Sequence, residues 1–61
     1  MRFKLIITTD NAAFADDKAH IEVARILREL ANRLVNEDGL SESYPLRDIN
    51  GNTVGTAKVV S

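Results

Sequence analysis

The chain has 61 residues, no cysteine, a formal net charge of −1 at pH 7 and a pI near 5.7. A chain of this length forms one domain at most, 1–61, and leaves little material for the walls of a deep pocket. We therefore expect no enzymatic activity and no cofactor. The weakly acidic balance argues against a general nucleic-acid binder, whose affinity depends on many phosphate contacts.

Very small domains often need a disulfide, a metal or a partner subunit for stability. Without cysteine there is no disulfide and no thiolate metal site, and the chain has a single histidine. A homodimer remains, and we expect one. The longest apolar run, Leu5-Ile6-Ile7, is far too short to span a membrane. No signal-peptide pattern follows Met1, so we expect a complete cytoplasmic protein without membrane contact.

Residues 2–9 have the alternation that is typical of a strand. Phe3, Leu5 and Ile7 lie on one face of it. The opposite face, which we expect to meet water, carries Arg2, Lys4, Ile6 and Thr8. In the connection over residues 10–15, Phe14 is the one large apolar side chain, and we expect it to pack on the core.

Residues 18–36 show the periodicity of an amphipathic helix. Asp16 and Asp17 are suited to cap its start, and Gly39 to end it in a left-handed conformation. The predicted apolar stripe consists of Val23, Ile26, Leu27, Leu30 and Leu34, flanked by Ala19 and Ala31. The opposite face, predicted to be solvated, carries Lys18, Glu22, Arg25, Glu29 and Arg33. We expect Glu37 and Asp38, after the stripe, to fray into solvent.

The last third of the chain predicts a hairpin around Asp48-Ile49-Asn50-Gly51, which suits a type I turn followed by a left-handed glycine. A three-residue loop would pair Leu46 with Val54, whereas a two-residue loop would pair Leu46 with Gly55. The first register places apolar opposite apolar and is preferred. Because the alternation falters after Gly55, a bulge is expected there.

These elements predict an α+β domain of β-α-β-β order, with one helix packed on a three-stranded antiparallel sheet. The helix returns the chain so that the third strand can lie between the other two, which gives the strand order 2-3-1. Pro45 lacks an N–H and favours an edge position for the second strand. The first strand forms the other edge and is the better candidate for a dimer seam, because it contains no proline.

Several residues could suggest chemistry, but a structural role is the better interpretation of each. Asp48 to Asn52 resembles a calcium loop in part, yet the further ligands of such a loop are missing. Asp10, Asp16 and Asp17 are more typical of caps than of metal ligands. His20, on the shoulder of the apolar stripe, has neither the partner nor the pocket that a general base needs.

Five residues remain as candidates for binding another protein: Ile6, Ile21, Arg25, Arg28 and Tyr44. Packing and capping do not require the first four in the predicted fold, and Tyr44 begins the hairpin. They favour a small non-enzymatic interaction protein. The alternative is a dimeric nucleic-acid-binding protein that aligns Arg2, Lys4 and Lys58 on the exposed sheet face, although the net charge makes nucleic acid the weaker expectation.

Three segments give the chain a resemblance to known sequences: DNAAF at 10–14, EVARILRELANRL at 22–34 and LRDINGNTVG at 46–55. They cover about half of the chain. Together they resemble a recurrent type of small protein from phages, prophages and plasmids that has no assigned activity. The resemblance implies a mobile-element setting, a host cell cytoplasm and a host or phage protein as partner. It transfers no catalytic residue.

Overall fold

The three strands form one sheet in which both pairings are antiparallel. A computed structural model describes residues 1–61. In chain order it contains β1 (Arg2–Ile7), a short 3-10 helix (Ala12–Phe14), α1 (Ala19–Val35), β2 (Ser43–Arg47) and β3 (Thr53–Val60). The strand order is β1-β3-β2, and α1 covers one face. The predicted α+β architecture and strand order are confirmed.

The core lies between α1 and the sheet and is small. Its buried side chains are Phe14, Ile26, Leu30, Tyr44, Leu46, Val54 and Ala57. The expected anchoring role of Phe14 is confirmed, since it is only 5% exposed. Leu5 and Ile7 pack against this core from β1, as their alternation predicted. Phe3 shares their face but remains 40% exposed.

The two ends of α1 differ from the sequence prediction. Asp16 and Asp17 have left-handed φ angles of 58° and 62°, so neither adopts the extended backbone of an N-cap. Lys18 occupies that position and makes no side-chain capping bond. At the other end Asn36 is the C-cap, and Gly39 (φ 132°) lies three residues beyond it. The predicted capping roles of Asp16, Asp17 and Gly39 are therefore wrong. These residues turn the connecting segments instead.

The helix is also rotated relative to its predicted apolar stripe. Glu22, expected in solvent, is 6% exposed, and Arg25 and Arg33 are half-buried. Leu27 and Ala31, expected inside, are exposed. The prediction was wrong for these residues because polar contacts with the hairpin, described below, hold the charged flank of α1 against the sheet.

The hairpin combines features of both predicted registers. Gly51 N donates to Asp48 O at 3.0 Å, and Gly51 has a φ of 86°, so the predicted three-residue loop with a left-handed glycine is confirmed. Leu46, however, lies opposite Gly55 rather than Val54. The bulge falls at Val54, one residue before its predicted place. A Cβ on Gly55 would lie 2.0 Å from Ile6 O, so the close approach of β1 requires glycine there.

Candidate functional site

The structure does not bring the five predicted binding residues together. Ile6 is 55% exposed on the face of the sheet that α1 does not cover. Ile21, 59% exposed, and the exposed Arg28 lie on the solvent side of α1. The sheet and the core separate Ile6 from the other two. A single partner surface made of these residues is therefore not formed.

Tyr44 belongs to the core rather than to a contact surface. It is 3% exposed. Its hydroxyl donates to Glu37 Oε2 at 2.6 Å and accepts from Ser41 N at 2.8 Å. The prediction of Tyr44 as a contact residue is wrong. The expected fraying of Glu37 is wrong as well, because its carboxylate closes the connection between α1 and β2.

Arg25 joins α1 to the hairpin. Its Nε and Nη2 donate to Glu22 Oε1 and Oε2, each at 2.8 Å, and Nη1 pairs with Glu29. Nη2 also donates to Arg47 O at 3.1 Å. Glu22 Oε2 in turn accepts from Ile49 N at 2.8 Å. The inference that packing does not require Arg25 is therefore wrong.

This contact has clear electrostatic consequences. The hydrogen bonds from Arg25 lower the pKa of Glu22 below its usual 4.5, although burial acts in the opposite direction. The hydrogen bond to Glu22 likewise raises the pKa of Arg25. Both groups are charged across the physiological range. The Glu22–Arg25 ion pair is therefore a permanent link between α1 and the hairpin, which we call the tie, and it does not exchange protons.

The loop around Asp48 is a turn whose carboxylate is fully occupied by protein donors. Oδ1 accepts from the backbone N of Asn50 and Asn52, each at 2.9 Å. Oδ2 accepts from Asn11 Nδ2 at 2.6 Å and Asn52 Nδ2 at 3.2 Å. Burial raises the pKa of Asp48, but these hydrogen bonds outweigh it and the net pKa is lowered. The site stabilises the hairpin, and no group of three metal-ligating side chains occurs in the structure.

The concave features of the surface are shallow. The largest is an open depression lined by Thr8, Asp10, Asn11, Thr53, Val54, Gly55 and Thr56. Val54 is its one hydrophobic residue, and the lining has no histidine or cysteine. His20 is exposed, lies on α1 and is not among the residues that line this depression. The distinctive surfaces of the molecule are the edges and the uncovered face of the sheet.

The β2 edge of the sheet is closed. Pro45 has no N–H to offer. Its carbonyl oxygen accepts from Arg33 Nη2 at 3.0 Å, and Arg47 O accepts from Arg25. These are the carbonyls that alternation directs away from β3, since Val59 N donates to Glu42 O on the inner side. Two arginines of α1 and one proline therefore leave this edge few groups for another strand.

The β1 edge is open. Thr8 N donates to Val54 O, so the even-numbered residues of this strand direct their backbone groups towards β3. By alternation the N–H and C=O groups of Phe3, Leu5 and Ile7 point outwards. No hydrogen bond from another element reaches them. This row can accept a further strand.

Partly exposed apolar side chains of β1 and α1 border the open edge. Because Arg25 and Arg33 fix α1 to β2, the helix approaches β2 more closely than β1. At 100° per residue, the helix flank opposite the arginines faces β1. We call this apolar border the edge cleft and define it by Phe3, Leu5 and Ile7 of β1 and Val23, Leu27 and Leu34 of α1. Phe3 and Leu27 are its most exposed members, at 40% and 42%.

The outer face, meaning the side of the sheet away from α1, is basic. β1 contributes Arg2, Lys4 and Ile6, β2 contributes Ser43, Pro45 and Arg47, and β3 contributes Thr56, Lys58 and Val60. No carboxylate occurs among these residues. The acidic residues next to these strand positions in sequence, Glu42 and Asp48, lie outside the positions of this face, and Asp48 is buried.

Comparison with known proteins adds no further information about the site. No family model matches the chain, and neither a curated protein nor a solved structure is significantly similar to it. No helix of the structure has the length and apolar character needed to cross a bilayer. Functional inference therefore depends on the surfaces described above.

Proposed function

We propose that this chain is a non-enzymatic protein-interaction module whose binding surface is the β1 edge together with the edge cleft. The observation that carries the proposal is the difference between the two edges of the sheet. The β2 edge is blocked by Pro45, Arg25 and Arg33, whereas the β1 edge is unpaired and lies beside exposed apolar side chains. An extended segment of a partner could add to the sheet there and cover the cleft.

The partner that fits best is a second copy of the chain, which supports a homodimer. The accessible surface is 4476 Å², whereas a self-contained monomer of this mass has about 3,900 Å². The Cα radius of gyration is 12.1 Å, against about 10.5 Å for a compact chain of this length. The excess of roughly 600 Å² approaches the 800 Å² that one partner contributes to a standard interface.

The sequence of β1 is self-complementary in one antiparallel register. If two copies pair about Leu5, each Leu5 lies opposite the other, and Phe3 lies opposite Ile7 on the cleft side. On the outer side Lys4 lies opposite Ile6, so no cations oppose each other. A register centred on Phe3 would place Lys4 opposite Arg2, and like charges in direct opposition destabilise a sheet. The pairing about Leu5 gives a continuous six-stranded sheet with both helices on one face.

Substitution of apolar residues of the edge cleft by lysine tests the proposal. Phe3→Lys and Leu27→Lys each place a charge where the second copy would pack, from β1 and from α1 respectively. Inward-pointing lysines are a known means of preventing edge pairing. Ile21→Lys is the matched control, because it adds the same charge at an exposed apolar position outside the cleft. Sedimentation equilibrium over a wide concentration range measures the outcome.

We expect wild type and Ile21→Lys to sediment at twice the 6.7 kDa chain mass. We expect both cleft variants to sediment at the chain mass and to keep the wild-type circular dichroism spectrum. A monomeric wild type, or a dimer that survives both cleft substitutions, contradicts the proposal. In the mobile-element setting implied by the sequence resemblance, a host or phage protein could take the place of the second copy at the same edge.

A further inference from the structure

We propose that the outer face of the sheet is a second binding surface, which contacts the phosphate backbone of duplex nucleic acid without reading its sequence. The surface is formed by Arg2, Lys4 and Lys58, with Arg47 at its border on β2. It is on the opposite side of the sheet from the edge cleft. The proposal applies to each protomer separately and does not depend on the dimer.

Basic and acidic residues nearly cancel in the net charge of −1, but the fold places them on different parts of the surface. Half of the eight basic residues lie on the outer face, and none of the nine acidic residues lies among its strand positions. Glu22 and Glu29 lie on α1, which covers the opposite side of the sheet, and Glu22 is buried there. A polyanion that approaches the outer face therefore meets no carboxylate among its strand positions. The argument from net charge against nucleic acid does not apply to a surface with this distribution.

The arrangement of the cations is unfavourable for folding. Lys4 lies directly opposite Lys58 in the β1–β3 ladder, both are exposed, and no carboxylate pairs with either. Like charges in direct cross-strand opposition repel each other. The Lys4–Lys58 pair does not stabilise the fold. An anion bound between the two ammonium groups would offset their repulsion, so anion binding accounts for the pair.

The other side chains of the face favour duplex phosphates over other anionic partners. Ser43 and Thr56 lie next to Lys58 and Ile6 in the sheet, and such hydroxyls commonly donate to phosphate oxygens. No aromatic residue lies on the face, which disfavours single strands that need stacking platforms. Ile6 is the one exposed large apolar side chain among the cations, which is little for insertion into a lipid surface.

Fluorescence anisotropy of a labelled DNA duplex of arbitrary sequence, titrated with the full chain at several salt concentrations, tests the proposal. Each phosphate contact contributes about −0.9 to the slope of log K against log salt. Contacts from Arg2, Lys4 and Lys58 predict a slope of about −2.7 for one protomer and roughly twice that for a dimer. Lys4→Gln/Lys58→Gln should weaken binding and reduce the slope by about 1.8 per protomer.

Lys18→Gln/Arg28→Gln is the matched control, because it removes the same charge from exposed positions on the helix side. We expect it to leave the slope unchanged. Lys4→Gln/Lys58→Gln removes the repulsion between the two lysines, so we expect it not to lower the midpoint of thermal unfolding. Weaker DNA binding by this variant is then not caused by unfolding. Absence of duplex binding at low salt overturns the proposal, as does an equal loss in the control pair. Binding confined to single-stranded DNA or to anionic phosphatidylserine vesicles overturns it too.

Discussion

The tie between Glu22 and Arg25 should contribute more to stability than any other ion pair of the molecule. Glu22→Gln keeps the shape of the side chain and removes its charge. The carboxylate accepts three hydrogen bonds at 2.8 Å, two from Arg25 and one from Ile49 N. In the variant, a neutral amide takes its place and turns an NH₂ group towards either the guanidinium or the Ile49 N–H.

The size of the effect follows from the exposure of the two side chains. Loss of one partner from a fully buried pair costs about 3–5 kcal/mol, and a hydrogen bond to a charged group contributes about 1.5–3 kcal/mol. Here the Glu22 side chain is 8% exposed and that of Arg25 is 29% exposed, and Arg25 retains Glu29 and Arg47 O as partners. We therefore expect a loss of about 1.5–3 kcal/mol at pH 7. That loss should lower the unfolding midpoint by at least about 6 °C in a domain of this size.

The pH dependence of this loss has a defined sign. The pKa of Glu22 is lower in the folded state than in the unfolded chain. Its stabilising contribution is therefore complete above the unfolded value near 4.5 and disappears as the pH falls through the folded value. Urea unfolding of wild type and Glu22→Gln should show a difference in free energy that is large at pH 7 and shrinks in acid.

Glu29→Gln is the control for this measurement, since it removes an exposed carboxylate that contacts the same arginine. An exposed pair of this kind contributes at most about 0.5 kcal/mol. If Glu22→Gln loses no more than Glu29→Gln at pH 7, or if its loss persists unchanged in acid, then the tie does not hold the helix as we infer.

Two other substitutions test the packing of the sheet by thermal unfolding. Gly55→Ala should destabilise the domain by at least about 2 kcal/mol, because its Cβ would lie 2.0 Å from Ile6 O. Gly39→Ala meets no atom within 4 Å and should cost about 1 kcal/mol for its positive φ alone. Equal effects at the two glycines would contradict the close approach. Tyr44→Phe should cost about 1 kcal/mol by leaving Ser41 N and Glu37 without their shared hydroxyl, and a neutral result would mean that water replaces it.

Local patterns in the sequence were sufficient to predict the elements and their order. The alternation of Phe3, Leu5 and Ile7 and the apolar repeat of α1 each specify one element, and Pro45 assigns β2 to an edge. These signals depend on neighbours within a few residues. The connectivity and the antiparallel sheet then follow from the direction in which the helix returns the chain.

The rotation of α1 was not predictable in the same way. Glu22 and Glu29 are both spaced to pair with Arg25, and nothing within the helix distinguishes the buried one from the exposed one. What distinguishes them is Ile49 N, which lies 27 residues further along the chain. The hairpin register has a comparable cause. Apolar pairing of Leu46 with Val54 was a reasonable local criterion, but a bulge at Val54 places Gly55 opposite Leu46, and Gly55 is also where β1 approaches closely on the other side of β3.

The tie and the exposure of Leu27 follow from the same orientation of α1. A helix turned to bury Leu27, now 42% exposed, would gain about 1 kcal/mol. The same turn would carry Glu22 away from Ile49 N and break a charge-assisted hydrogen bond that contributes about 1.5–3 kcal/mol. The isolated chain therefore favours the rotation that leaves Leu27 uncovered. In the dimer proposed above, a second copy at the β1 edge would cover Leu27 without breaking the tie between Glu22 and Arg25.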